Sequence, residues 1–217
     1  MALLGGVLGL DTVSCVQAMV SRPIVAAPIA GFLLGDPIAG LSAGAVLELV
    51  SLNQLPIGAN RGWDTAPASV AAAAVAALSS AGAVSLVVAV GFGVLVGWLG
   101  SWTVHVMRQV TASLVVAGGS QRPIPASVLT ARHLSAVAID FVRAAALALV
   151  ALLLGAPLAS GFEVSRATAG VAATILILVC VGLALGSDLR MMAKGRTVVL
   201  AFTAGLLASA VLSIWLV

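Results

Sequence analysis

"LELVSLNQLPIGANRGWDTAPAS", Leu47 to Ser69, sits between long apolar runs and still carries Glu48, Asn53, Gln54, Asn60, Arg61 and Asp64. Pro56, Gly58, Gly62 and Pro67 interrupt it. How this stretch is read decides the fold. An ordinary loop would put these groups in water, whereas a re-entrant turn would put them at membrane depth. Irregular backbone and charge are tolerated at that depth only where protein buries them or a water-filled cavity surrounds them.

Composition makes the membrane unavoidable. Of 217 residues, 62% are hydrophobic and 8% are charged, and the mean hydropathy is +1.23. A soluble domain carries roughly one-quarter charged residues. The expected fold is therefore an all-α integral membrane protein. It is a polytopic helical bundle in a single membrane domain, 1–217, that meets the lipid bilayer over its surface. Small-residue spacings at Gly31 to Gly35, Gly40 to Gly44 and Gly93 to Gly97 favour close helix packing. The net charge of +3 does not point to nucleic acid, because the basic residues lie in connectors where topology alone requires them. Cys15 and Cys180 lie in apolar runs without CxxC or metal-ligand spacing. They are expected as buried thiols, and neither a metal nor a cofactor is expected.

Outward from the polar stretch, the two halves of the chain differ. Ala144 to Phe162, Ala167 to Gly186 and Thr197 to Val217 are each close to the ~20 apolar residues that cross a bilayer, so 134–217 reads as a three-span half. The connector 103–133 carries Arg108, Arg122 and Arg132 with no acid, and Ser187 to Arg196 carries Arg190, Lys194 and Arg196 against Asp188. Both are expected to be cytoplasmic, with the Glu163/Arg166 turn outside. Trp102, Val106, Val110 and Leu114 recur every fourth residue opposite His105, Arg108 and Gln109, which predicts a helix lying along the interface. Asp140 and Arg143 have the spacing of a helical ion pair, or they flank the cytoplasmic end of the next span. In 1–100 the apolar runs are short, cut by Asp11, Arg22-Pro23, Gly35-Asp36-Pro37 and Glu48, with Ser79 to Gly82 dividing a later run. Broken helices or re-entrant hairpins are expected there, and in transporters such elements hold the substrate.

A charge at the bilayer centre costs at least ~2.5 to 3.5 kcal/mol on insertion scales, so Glu48 and Asp64 need a compensating use. A turn at Pro56 to Gly62 brings Asp64 back beside the helix end that carries Glu48. The two carboxylates and the carboxamides Asn53 and Asn60 then line one pocket. Carboxylates accept from hydroxyls, and carboxamides both accept and donate, a donor set that suits a polyhydroxylated ligand such as a sugar. Trp63 offers an apolar face to the ring. Arg61 pairs with one of the carboxylates or reaches the interface.

At these residues the sequence resembles the IIC permease subunit of the mannose/fructose/sorbose family of the bacterial sugar phosphotransferase system. The ordered elements are Arg22 to Asp36, "RPIVAAPIAGFLLGD"; Gly44 to Leu52, "GAVLELVSL"; Pro56 to Ala59, "PIGA"; then Asp64 and Ala68-Ser69. A weaker echo follows in His133 ahead of Arg143 and in "DLRMMAKGR", Asp188 to Arg196. The resemblance implies a multi-pass protein of the bacterial cytoplasmic membrane that acts in an oligomer with a IID membrane subunit. It implies a mannose-type hexose carried by an elevator-like movement and phosphorylated by soluble IIA/IIB phosphocarriers, so that the chain has no catalytic residue of its own. Glu48 and Asp64 carry over as sugar ligands. Asn53, Asn60 and Trp63 rest on the chemistry above, and Arg61 and Trp63 stand where the family has small residues or Pro.

Two other classes are distinguishable. One is a membrane scaffold or sugar-sensing subunit that binds without transporting. The other is an intramembrane serine hydrolase built on Gly40-Leu-Ser42-Ala-Gly44, a GxSxG pattern without the strand-to-helix setting of a hydrolase elbow.

Overall fold

The computed structural model describes residues 1–15, 17–52, 62–79, 83–116, 125–160, 165–192, 200 and 203–204. Every regular element among them is helical: α1 (Ala2–Val13), α2 (Pro23–Leu34), α3 (Pro37–Ser51), α4 (Thr65–Leu78), α5 (Ala83–Val116), α6 (Ala126–Ser160) and α7 (Arg166–Met192).

Helix length separates the two halves as the punctuation implies. Helices α1 to α4 have 12, 12, 15 and 14 residues. At 1.5 Å per residue even the longest reaches only ~22 Å, short of the ~30 Å hydrocarbon layer. Within α5, α6 and α7, the segments Val84–Ser113, Ala126–Ala159 and Ala167–Leu185 are long and apolar enough to cross. The expected third span of the second half, Thr197 to Val217, lies outside the described residues apart from 200 and 203–204.

Helices α2 and α3 form a hairpin whose turn is written in the sequence. Gly35 ends α2 with φ +96°, a left-handed cap that only glycine adopts without strain. Asp36 then caps α3, its Oδ1 accepting from the Ala39 N–H at 2.9 Å. The two axes approach closely, since a Cβ on Gly40 would stand 2.5 Å from the Ala27 carbonyl oxygen and one on Gly31 would meet the Gly40 backbone. The small-residue spacing is thus the face through which the hairpin packs.

Helix α4 is the centre. It packs against α1, α2, α3, α5 and α6, and every residue from Ala66 to Ala76 is buried. A helix buried on all sides within a crowd of helices needs short side chains, which is what "APASVAAAAVA" supplies.

Two expectations are corrected. The stretch from Trp102 onward is not a separate interfacial helix but the C-terminal part of α5, which runs unbroken to Val116. Neither Gly nor Pro occurs between Ser101 and Val116 to break the hydrogen-bond ladder. Likewise α6 begins at Ala126 and takes in Arg132, His133, Asp140 and Arg143, so the connector is shorter than 103–133. The thiols also divide: Cys180 is buried and Cys15 is exposed, because α1 ends at Val13 and leaves Cys15 in the turn to α2.

Candidate functional site

The charged groups of the first half gather where short helices end. Helix α3 delivers Glu48 near its C-terminus, and α4 begins directly after Asp64. Arg22 immediately precedes α2.

Glu48 forms an ion pair with Arg22. Its Oε2 also accepts from the Ile24 N–H at 3.2 Å, satisfying a donor in the first turn of α2 that no side chain of α2 caps. One carboxylate therefore closes the open end of the α2–α3 hairpin. Both side chains keep partial exposure, 24% for Arg22 and 16% for Glu48.

Asp64 is in a different setting. Its side chain is fully buried, and its Oδ2 accepts from Arg143 Nη1 at 2.6 Å. The same Nη1 also donates to Thr103 Oγ1 at 2.9 Å. Arg143 Nε donates to Asp140 Oδ1 at 2.9 Å, and Nη2 lies 2.9 Å from that oxygen without the alignment of a hydrogen bond. Asp140, fully buried as well, accepts from the Ser14 hydroxyl on its Oδ2. One guanidinium thus joins α4, α5 and α6, and Asp140 extends the network to the end of α1. Asp64 Oδ1 is buried without a hydrogen-bond partner. Two carboxylates share one guanidinium here, leaving one formal negative charge in excess.

The two candidate carboxylates are therefore held by different cations, Glu48 by Arg22 and Asp64 by Arg143. Asn53 and Asn60 lie outside the described residues, as does Arg61. Trp63 is buried at 7% exposure, its indole seated on Gly97 of α5 and its Nε1–H donating to the Val94 carbonyl at 3.3 Å. Asp64 follows the same path, its N–H donating to the Gly97 carbonyl at 3.3 Å and its side chain packing on Gly100. Gly97 and Gly100 of "GVLVGWLG" are thus the floor on which Trp63 and Asp64 rest.

Sequence reasoning missed Arg143 as the partner of Asp64. The i, i+3 spacing with Asp140 showed half of the network, but the sequence separation of 79 between Asp64 and Arg143 hides the other half. Reading the pair as flanking a span end is corrected by its burial: Arg143 lies in the interior of α6, seventeen residues after its start at Ala126. The hydrolase pattern is also corrected. Ser42 lies inside α3, its hydroxyl donating to the Ile38 carbonyl at 2.9 Å, and Gly40 and Gly44 face α2 rather than shaping an elbow.

On the same end a cavity of about 530 Å³ opens between α5 and the two segments that flank the polar stretch. Val50 and Trp63 line it from one side, and Trp98, Trp102 and His105 from the other.

The model of the family described as the sorbose-specific IIC component of the phosphotransferase system matches residues 1–217. A sorbose-specific EIIC component of Lacticaseibacillus casei is 46% identical over 48 residues, which is 22% of this chain and 17% of that protein's length. Among solved structures, one described only as a membrane protein matches with a TM-score of 0.70 at 18% identity, covering 96% of this chain and 84% of the other. A mannose transporter ManYZ in complex with microcin E492 matches with a TM-score of 0.57, also at 18% identity and with the same coverage. At that identity these structures speak for the fold alone.

Proposed function

Because the chain belongs to the family of sorbose-specific IIC components of the phosphotransferase system, we propose that it is a membrane permease subunit that binds a hexose and carries it across the bilayer for phosphorylation by a partner. The single observation that carries this reading beyond family membership is the placement of Glu48 and Asp64 at the ends of α3 and α4, helices too short to cross. Charge at such interrupted ends is the arrangement by which transporters hold polar substrates away from lipid.

Glu48, Asp64 and Trp63, with Asn53 and Asn60 from the stretch between them, are the residues proposed to contact the sugar. Asp64 keeps one oxygen on Arg143 and has the other without a partner, so it retains an acceptor for a hydroxyl. Arg143 would orient that acceptor. The chain is not an enzyme by itself in this reading. It works with a second membrane subunit of IID type, and soluble IIA/IIB phosphocarriers supply the phosphoryl group from the cytoplasm. The long helices α5 and α6 carry the basic residues Arg108 and Arg132 beyond the polar network, a placement suited to meeting an acidic soluble partner.

Reconstitution tests the proposal. Proteoliposomes containing this chain and its IID partner, loaded with IIA, IIB and the phosphoryl donor, are expected to accumulate hexose phosphate from external hexose. Omitting either the chain or IID is expected to abolish accumulation. Sugar phosphate released by the lone chain with donor and hexose would replace the permease with an enzyme.

A further inference from the structure

Helix α5 presents Trp98, Ser101, Trp102 and His105 at i, i+3, i+4 and i+7, one continuous face, which corrects the expectation that His105 lies opposite Trp102, since both line the same cavity. Among the described residues no helix covers its two tryptophans: Trp98 is 58% and Trp102 62% exposed. Across the 530 Å³ cavity this face looks toward Val50, two residues after Glu48, and Trp63, the residue before Asp64. The cavity thus opens against both described edges of the polar stretch, and its volume is within the ~300–1,000 Å³ of small-ligand sites.

Its chemistry has two kinds of surface. Three indoles supply broad apolar faces. Ser101 and His105 supply polar edges, the serine hydroxyl donating to the Trp98 carbonyl and the imidazole Nε2 lying 3.2 Å from Gln109 Nε2. Trp63 Nε1 is occupied by Val94, whereas the Trp98 and Trp102 indole N–H groups make no hydrogen bond among the described residues, leaving two donors at the rim. A sugar ring has the matching character, one face of C–H groups and an edge of hydroxyls, and indoles combine an apolar body with a polar handle. A lipid chain would use the faces and leave the donors idle.

We propose that this cavity is a hexose subsite at the approach to Glu48 and Asp64, with the Trp98 and Trp102 faces receiving the apolar side of the ring and their N–H groups, Ser101 and His105 meeting its hydroxyls. The proposal rests on the permease reading and adds the aromatic face of α5 as a place where the sugar is held. Neither Trp98 nor Trp102 is needed for packing, so their replacement leaves the core intact.

The test uses the complex of this chain with its IID partner in native membranes, with tritiated mannose, fructose and sorbose as probes. Trp98→Ala and Trp102→Ala are each expected to raise the Kd of the bound hexose about 3- to 10-fold, the span of an aromatic contact. Trp98→Phe and Trp102→Phe, which keep an aromatic face, are expected to recover most of the loss. The fourth tryptophan, Trp215, lies elsewhere in the sequence, so the full chain carrying Trp215→Phe reports the cavity alone by its fluorescence. That signal is expected to change saturably with hexose, with the same midpoint. Unchanged Kd in both alanine variants of a complex that binds hexose overturns the subsite and leaves the permease reading standing. Absence of hexose binding in the native complex overturns both. Alanine variants that insert poorly but bind hexose with native affinity make the indoles membrane-interface anchors and also overturn the subsite.

Discussion

Arg143 faces two buried carboxylates, and the imbalance orders the consequences of substitution. Removing the guanidinium leaves two carboxylates buried against each other, and stranding buried charge in this way costs about 3–5 kcal/mol. Arg143→Gln is therefore expected to lower the thermal midpoint in detergent more than any single replacement in the network. Asp140→Asn leaves a one-to-one pair with Asp64 and is expected to be milder, and a melt of Asp140→Asn below Arg143→Gln would reverse this charge count. Glu48 differs because it is partly exposed and paired with an exposed-side cation. Glu48→Gln is expected to leave insertion intact while weakening hexose binding by about 1.5–3 kcal/mol, the worth of a hydrogen bond to a charged group, read by titration calorimetry on the purified complex. Asp64→Asn needs both measurements, since the same side chain holds Arg143. Lost affinity with an unchanged melt assigns it to the sugar; a lowered melt assigns it to the network. In the sequence, the polar residues and the Asp140–Arg143 spacing were visible, and the cations that pair with Glu48 and Asp64 were not. Arg61 was the nearest cation to both carboxylates along the chain, but Arg22 and Arg143 are the ones that folding brings to them.

At the level of elements, the α2–α3 hairpin was the most legible part. A Pro-started helix, a glycine cap, an Asp-Pro restart and glycines at small spacing each fix a local geometry that no distant contact needs to decide. Gly40 provides a direct check. Its hypothetical Cβ meets backbone, the Ala27 carbonyl, which cannot rotate away as a side chain would. Gly40→Val is expected to separate the hairpin, with a destabilisation of about 1–3 kcal/mol or more, measured by thermal melting. Equal melting would mean that α2 and α3 do not approach as described. The end of α5 was misread because an apolar stripe at every fourth residue has the same signature whether a helix lies on the interface or continues from a span. Only the missing breaker before Val116 separates the two. Topology is open to labelling at described, exposed positions. With Cys15 and Cys180 replaced, Ser165→Cys is expected to react with an impermeant thiol reagent on intact cells, and Ser127→Cys only after lysis. Replacing Cys15 first matters because it is itself exposed. The opposite labelling pattern would invert the chain in the membrane.

At the scale of the molecule, an alanine-rich helix packs among five others, and among the described residues the buried charges Asp64, Asp140 and Arg143 gather in one network beside its N-terminal end. The membrane class followed from composition, because so few charged residues cannot solvate a surface. Which short helix becomes the centre was not readable, since α4 and its neighbours are all small and apolar and only packing distinguishes them. The proposed function leaves the phosphoryl chemistry to a soluble partner, with a consequence for the basic residues flanking α5 and α6. On that proposal the basic segments around Arg122 and Arg132 are the expected docking surface. Such encounters are steered by charge that salt screens over about 8 Å at physiological strength. Reversing Arg122 and Arg132 to Glu is therefore expected to slow hexose phosphorylation by the reconstituted complex while hexose affinity stays native. Raised salt is expected to slow the native complex in the same way and to affect the reversed variant far less. A variant that phosphorylates at the native rate, with the native salt dependence, would move the docking surface away from the connector between α5 and α6.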